Sequence, residues 1–261
     1  MLEVTILAVL QGVAEFLPVS SSGHLVIGQH LLHVNAPGMR LDVMLHLGTL
    51  VSIFAFYRKF VAGLVRDAFA GPAERSRVAW LFVAKIAASA LPAVVVYAVF
   101  KDEIEGLFEN ARMVGALLMF TGAVVIGTRY MPRGGRDVGF ARALVMGAAQ
   151  ALALLPGVSR SGMTLASARA GRVDGEKAAG FSFLMSAPLI AGAALLEVVK
   201  SFGGGADGAD VGWGLAAYGA ALSAVVGYFS LAVLLRALKG RWFWLFGPYC
   251  LAAGLLTLIL V

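Results

Sequence analysis

Gln11-Gly12-Val13-Ala14-Glu15-Phe16-Leu17-Pro18-Val19-Ser20-Ser21-Ser22-Gly23-His24 and Pro156-Gly157-Val158-Ser159-Arg160-Ser161-Gly162-Met163-Thr164 are two polar interruptions in otherwise apolar sequence. The first breaks region 1–33 and the second breaks region 140–170. Each leaves apolar arms of half length on either side. In hydrocarbon, irregular backbone is tolerated only where protein buries it or where it lines a cavity. Each region is therefore expected to be a re-entrant helical hairpin with its polar tip inside the protein.

The rest of the chain fits that setting. Its 261 residues are 60% hydrophobic and 14% charged, with a mean hydropathy of +0.86. Soluble domains carry far more charge, so a soluble, disordered or fibrous chain is excluded. Six runs, 42–57, 79–100, 112–131, 178–200, 213–236 and 242–261, approach the length needed to cross about 30 Å of hydrocarbon as helices. The 32 glycines suit close helix packing in lipid. A single cysteine, Cys250, excludes an intramolecular disulfide framework and a four-cysteine metal site. The N-terminus has no basic region and no small-residue cleavage pattern, so it is read as part of the mature fold. The expectation is one integral membrane domain over 1–261.

The net charge of +6 does not indicate nucleic acid, because the basic residues cluster in short stretches between apolar runs. Arg58, Lys59, Arg66, Arg75 and Arg77 occupy an expected loop at 58–78, and Arg129, Arg133, Arg136 and Arg142 another at 129–142. Arg236, Lys239 and Arg241 mark a turn at 236–241. The alternate loops are acidic, with Asp102, Glu103, Glu105 and Glu109 in one and Asp207 and Asp210 in the other. The positive-inside rule places the basic loops in the cytoplasm. The six spans then alternate only if 140–170 enters and leaves on one side.

The two broken regions also match each other at an offset of 139 residues: Gln11 with Gln150, Ala14 with Ala153, Val19 with Val158, Ser20 with Ser159, Ser22 with Ser161 and Gly23 with Gly162. Three spans follow each hairpin, an odd number, so the halves (about 1–135 and 136–261) take opposite orientations. The expected architecture is an all-α polytopic membrane protein with an inverted-topology repeat, six full spans and two re-entrant hairpins. Its site is expected where the broken segments meet.

The chemistry of the breaks supports a site there, since ionisable groups at membrane depth are costly and usually functional. Arg160 needs an anionic partner, and its planar fork fits phosphate oxygens; a structural pair with Glu15 is the competing reading. Glu15 could be a general base, a metal ligand or Arg160's counter-ion. Gln11 lies one helical turn before it. The serines beside Arg160 suit an anion at a helix N-terminus or plain capping. His24 can move a proton near neutral pH, whereas His46, inside a span, reads as a packing or hydrogen-bonding residue. Lys85 and Glu197 lie near span ends and can snorkel.

Gln11-x-x-x-Glu15 with Pro18–His24, and Pro156-Gly157-x-Ser159-Arg160-Ser161-x-x-Thr164, resemble the two signatures of the bacterial undecaprenyl-diphosphate phosphatases, or bacitracin-resistance proteins. Gly180-Phe181-Ser182-Phe183-Leu184 is similar to the family as well, and the resemblance covers essentially the whole chain. It implies removal of the terminal phosphate of a polyprenyl diphosphate in the bacterial inner membrane. The product is the lipid carrier of peptidoglycan synthesis, and the site faces the periplasmic side. It implies a divalent cation, Mg²⁺ or Ca²⁺, with Gln11 and Glu15 as candidate ligands. Gln11 cannot ionise, so it acts here as an amide. In that chemistry Arg160 clamps phosphate with Ser20, Ser22, Ser159, Ser161 and Thr164. Ser21 is the preferred nucleophile, with His24 or Glu15 as base, and attack by water activated by Glu15 is the runner-up. The expected partners are the lipid substrate and the bilayer, no nucleic acid, and a homo-oligomer is left open.

Two other classes were weighed. Membrane phosphatases with a histidine nucleophile need a His shortly after the Arg and an Asp beyond, and Ser161–Ala170 supplies neither. A prenyl-phosphate transporter or flippase would also use an inverted repeat, but needs Arg160 more than the Ser-His-Glu set.

Overall fold

The computed structural model describes residues 1–31, 39–202 and 211–260. Their regular structure is helical, with no strand among the described residues beyond an isolated bridge between Arg136 and Val173. The helices are α1 Leu2–Ala14, α2 Ser21–Leu31, α3 Met39–Phe56, α4 Arg58–Ala70, α5 Ala73–Leu107, α6 Ala111–Gly127, α7 Phe140–Leu152, α8 Arg160–Ala170, α9 Gly175–Phe202, α10 Trp213–Gly240 and α11 Phe246–Leu260.

Among the described residues, four segments are long and apolar enough to cross a membrane: Ala73–Leu107, Ala111–Tyr130, Trp213–Gly240 and Phe243–Leu260. They correspond to four of the six expected spans. A fifth qualifies only if Arg40–Phe56 and Arg58–Ala70 count as one span bent by 73°. The remaining expected span, 178–200, lies within α9. The chain is thus an all-α, multi-pass membrane protein. Leu91, Val95 and Val99 on α5 and Leu255, Leu256 and Ile259 on α11 are exposed. Lipid rather than water accounts for so much apolar surface.

The charged stretches differ from the loops expected. Residues 58–70 form α4, and α5 starts at Ala73. Its basic residues alternate with Val61, Leu64 and Val65, so hydropathy alone suggests a loop where the backbone keeps its helical bonds. Acidic residues 101–107 continue α5 past a non-helical Phe100 (φ −118°, ψ 28°). The acidic stretch with Asp207 and Asp210 lies outside the described residues.

Both broken regions are short helix pairs. A 13-residue helix such as α1 or α7 rises about 20 Å, less than the hydrocarbon core. The chain reverses through Ser20 at φ 68° in the first and Gly157 at φ 94° in the second, both left-handed. α1 packs on α2, α3 and α10, and α7 on α8 and α5. α3 also packs on α10, α5 on α9, and α6 along α11. Backbone approaches close: a Cβ on Gly12 would stand 2.9 Å from Ser223 O, and one on Gly115 3.0 Å from Gly254 O. Small residues permit such contact, and in lipid it supplies much of the association energy. Phe16, Phe181, Phe183, Met146 and Leu231 are fully buried in the core next to the hairpin tips.

Candidate active site

The two hairpin tips meet. A Cβ on Gly23 would lie 3.0 Å from Gly157 Cα, so the strands of backbone touch with no side chain between them. Neighbouring helices pin each tip. Thr121 of α6 donates to Gly157 O (2.8 Å) and accepts from the Ser159 N–H (3.0 Å). Cys250 of α11 donates to Pro18 O (3.4 Å). Ser20 and Ser159 cap the helices that follow: their Oγ atoms accept from the Gly23 N–H (3.3 Å) and the Gly162 N–H (3.1 Å). Ser22 Oγ lies 3.3 Å from Ser20 Oγ.

Glu15, buried just after α1, is the hub. Its Oε2 accepts from the Ser21 hydroxyl at 2.8 Å and from Gln11 Nε2 at 3.0 Å. Its Oε1 accepts from Arg160 Nη2. The Arg160 guanidinium lies 5.4 Å above the Phe183 ring, and its Nη1 is buried with no hydrogen-bond partner among the described residues. A hydroxyl donating to a carboxylate that a guanidinium also holds is the arrangement of a nucleophile beside its base.

These groups line a cavity of about 390 Å³ between α1–α2, α3, α7–α8 and α9. Glu15, Ser21, His46, Gln150 and Arg160 supply its polar wall, and Leu154, Leu189 and Ile190 extend it as an apolar surface. The volume falls within the range of small-molecule sites.

The structure brings Glu15, Ser20, Ser21, Ser22, Ser159 and Arg160 to this cavity. Gln11 stands behind Glu15. Three expected residues lie elsewhere. His24 is turned toward α11: Nδ1 lies 2.8 Å from Ser20 O, Nε2 lies 2.8 Å from the Tyr249 hydroxyl, and the rings stack. Both ring nitrogens are engaged there, and neither is hydrogen-bonded to Ser21 or Glu15. Ser161 donates to Leu17 O (3.0 Å), tying the two hairpins together. Thr164 donates to Arg160 O (2.8 Å) and meets Ser182 Oγ at 2.6 Å, fully buried. These two hydroxyls hold the backbone that carries Arg160.

His46 is the imidazole on the cavity wall, although its sequence context suggested only packing. Its Nδ1 lies 2.7 Å from Asp42 O and must carry the proton there. That leaves Nε2 directed at Glu15 Oε2, 3.8 Å away. Gln150 was legible only as the counterpart of Gln11 in the repeat.

No group of three or more His, Cys, Asp or Glu side chains among the described residues could hold a metal ion. Mg²⁺ is commonly held by one or two carboxylates plus substrate phosphates, not by a protein cage. Glu15 is one such carboxylate, and Gln11 Oε1 beside it is buried without a hydrogen-bond partner among the described residues. Gln11 lies outside the cavity lining, so of the two expected ligands Glu15 alone faces a cation shared with a phosphate there.

The sequence model of the family described as "Bacitracin resistance protein BacA" matches residues 4–256. The chain belongs to that family. Members similar to it include an undecaprenyl-diphosphatase of Desulfosudis oleivorans, 40% identical over 97% of this chain and 96% of the relative. Another, of Desulforapulum autotrophicum, is 37% identical over 97% and 96%. "Undecaprenyl-diphosphatase 3" of Bacillus cereus is 34% identical over 99% and 96%. The BacA match spans both hairpins, so the cavity between their tips lies wholly inside the shared region.

Proposed function

We propose that the chain hydrolyses undecaprenyl diphosphate to undecaprenyl phosphate and inorganic phosphate, returning the lipid carrier to cell-wall synthesis. Family membership supports the substrate. The observation that carries the chemistry is the Ser21 hydroxyl donating to Glu15 at 2.8 Å, with Arg160 on the same carboxylate and the cavity of about 390 Å³ beside them.

In this reading Arg160 binds the diphosphate and offsets its charge as the bond breaks. Ser21 gives its proton to Glu15, and its oxygen attacks the terminal phosphorus. The bond from phosphorus to the bridging oxygen breaks, and prenyl monophosphate leaves with the electron pair. Water then hydrolyses the phosphoserine, again with Glu15 as base. His46, its Nε2 3.8 Å from the same Glu15 oxygen, can take that proton and free Glu15 for the second step. Ser22 faces the same phosphate, while Ser20, Ser159, Ser161 and Thr164 fix the backbone around it. Glu15 would hold Mg²⁺ or Ca²⁺ together with the substrate phosphates, whose charge the cation neutralises when bound, and Gln11 orients Glu15. The prenyl tail lies along Leu154, Leu189 and Ile190.

The topology of this reading has six spans, two re-entrant hairpins and an inverted repeat within a single domain. Basic ends face the cytoplasm, and the cavity opens to the outer face of the inner membrane. The helix contacts support the repeat, because α1–α10 and α7–α5 correspond under the 139-residue offset, as do α3–α10 and α9–α5. Gly115 and Gly254, separated by that same offset, touch each other, as residues on a pseudo-twofold axis would.

Purified protein in detergent, given farnesyl diphosphate with Mg²⁺ or Ca²⁺, should release inorganic phosphate without any membrane gradient. Binding without release would favour a lipid transporter.

A further inference from the structure

Gln150 sits in the last turn of α7, only 3% exposed, on the wall of the cavity that holds Glu15, Ser21 and Arg160. Neither its amide oxygen nor its amide nitrogen has a hydrogen-bond partner among the described residues. More than nine in ten buried polar groups find one. A carboxamide unpaired at both atoms, on the wall of a ligand cavity, marks a place where the ligand supplies the partner. Gln11, its counterpart at the 139-residue offset, differs: its Nε2 is committed to Glu15.

Arg160 presents the same feature on the same wall. Nη2 is committed to Glu15, while Nη1 is buried and unpaired among the described residues. The cavity therefore holds two uncommitted N–H groups, on the two arms of one hairpin. The non-bridging oxygens of a phosphate accept hydrogen bonds, and a diphosphate offers two sets of them.

We propose that Gln150 is a second phosphate-binding residue, which holds the phosphate that stays on the prenyl chain. This rests on the reading that a prenyl diphosphate is the substrate. Arg160 and Ser21 engage the phosphate that is attacked, and Gln150 Nε2 donates to an oxygen of the other. A site built to hydrogen-bond a group discriminates against ligands that leave its buried polar atoms unpaired. Gln150 thereby favours ligands that carry a phosphate on the tail side over free inorganic phosphate beside Arg160.

The test compares purified wild type, Gln150→Leu and Gln150→Glu in detergent. It measures kcat and KM for farnesyl diphosphate and the inhibition constant of farnesyl monophosphate. Gln150→Leu should raise KM about tenfold, as expected for one lost hydrogen bond to a charged group. Its kcat should change much less, and inhibition by the monophosphate, which carries the same tail-side phosphate, should weaken by a similar factor. Gln150→Glu, which removes the donor and adds an anion, should raise KM further. If leucine disturbs folding, Gln150→Asn withdraws the amide by one methylene and should show the same KM shift. An unchanged KM in the soluble variants would overturn the proposal and assign Gln150 to bound water. So would a raised KM with monophosphate inhibition unaffected. Wild type that releases no phosphate would overturn the hydrolase reading itself, and this proposal with it. Active wild type with an unaffected leucine variant would overturn this proposal alone.

Discussion

Glu15 and Arg160 stand 145 residues apart in the chain and are joined by a direct ion pair at the meeting point of the two hairpins. Both side chains are largely buried. The pair uses one carboxylate oxygen and one guanidinium nitrogen, so Glu15 keeps an oxygen for Ser21 and Arg160 keeps a nitrogen for a ligand. It therefore both closes the fold and leaves both partners able to act.

Removing the Arg160 fork separates these two roles. Arg160→Lys keeps the charge but loses the planar geometry. It should remain folded in the membrane and lose on the order of 10²-fold in phosphate release, by analogy with deleting one preorganised donor. Arg160→Ala should do worse, because it also strands the Glu15 carboxylate. If the pair were only structural, a double variant lacking both charges would recover activity; no recovery is expected.

The Ser21–Glu15 hydrogen bond makes a second prediction. Glu15→Gln should lower kcat by about 10²–10⁴-fold, the usual value of a general base. Ser21→Ala should abolish turnover while leaving the folded yield intact. Rapid quenching of wild type with a prenyl diphosphate labelled at its terminal phosphate should trap radiolabel on Ser21. Substantial residual turnover in Ser21→Ala, with no label trapped in wild type, would transfer the attack to water.

The two histidines should behave differently from what their sequence contexts suggest. His46→Ala removes the imidazole facing Glu15 and should lower kcat by about 10²-fold. His24→Ala removes hydrogen bonds to Ser20 O and Tyr249 at the rear of the tip. It should cost about 1 kcal/mol of stability per lost bond, seen as a lower Tm, with a much smaller change in kcat. Tyr249→Phe removes only the second of these bonds and keeps the stacked ring, so it should reproduce part of that thermal shift. Equal loss of kcat in both histidine variants would contradict this division.

Membrane orientation can be read with single cysteines. Gly135 and Gly106 have open space where a Cβ would be added, and the native Cys250 is buried. Cysteines at the two positions should label from opposite sides of the membrane, with Gly135 on the cytoplasmic side. Labelling from one side would remove the inverted repeat.

The hairpin breaks were legible in the sequence because proline, glycine and serine interrupt hydropathy there and nowhere else so densely. Glu15, Ser21 and Arg160 were legible for the same reason, being polar where lipid penalises polarity. The direction each side chain takes was not. His24 lies three positions beyond Ser21 and was grouped with it, but the backbone turns it toward α11. His46 lies 31 positions away from Glu15 in the chain and reaches it only because α3 packs beside α1. The hydroxyls of Ser161 and Thr164 look like phosphate ligands in a motif, yet the tertiary fold commits them to Leu17 and Ser182. Helix α4 was hidden because charge density signals an exit from lipid, not the end of a helix.

The contact between Gly23 and Gly157 has a mechanical consequence. With no Cβ on either residue, the gap between the hairpin tips is set by main-chain atoms in van der Waals contact. The distance from the serine oxygen to the guanidinium is thereby gauged by backbone, which neither changes rotamer nor varies with the residues lining the tail groove. Those lining residues can be exchanged to accept longer, shorter or differently saturated chains without recalibrating the reacting centre. Tail selection and bond cleavage become separately adjustable, and an alanine at Gly23 would couple them by forcing the tips apart.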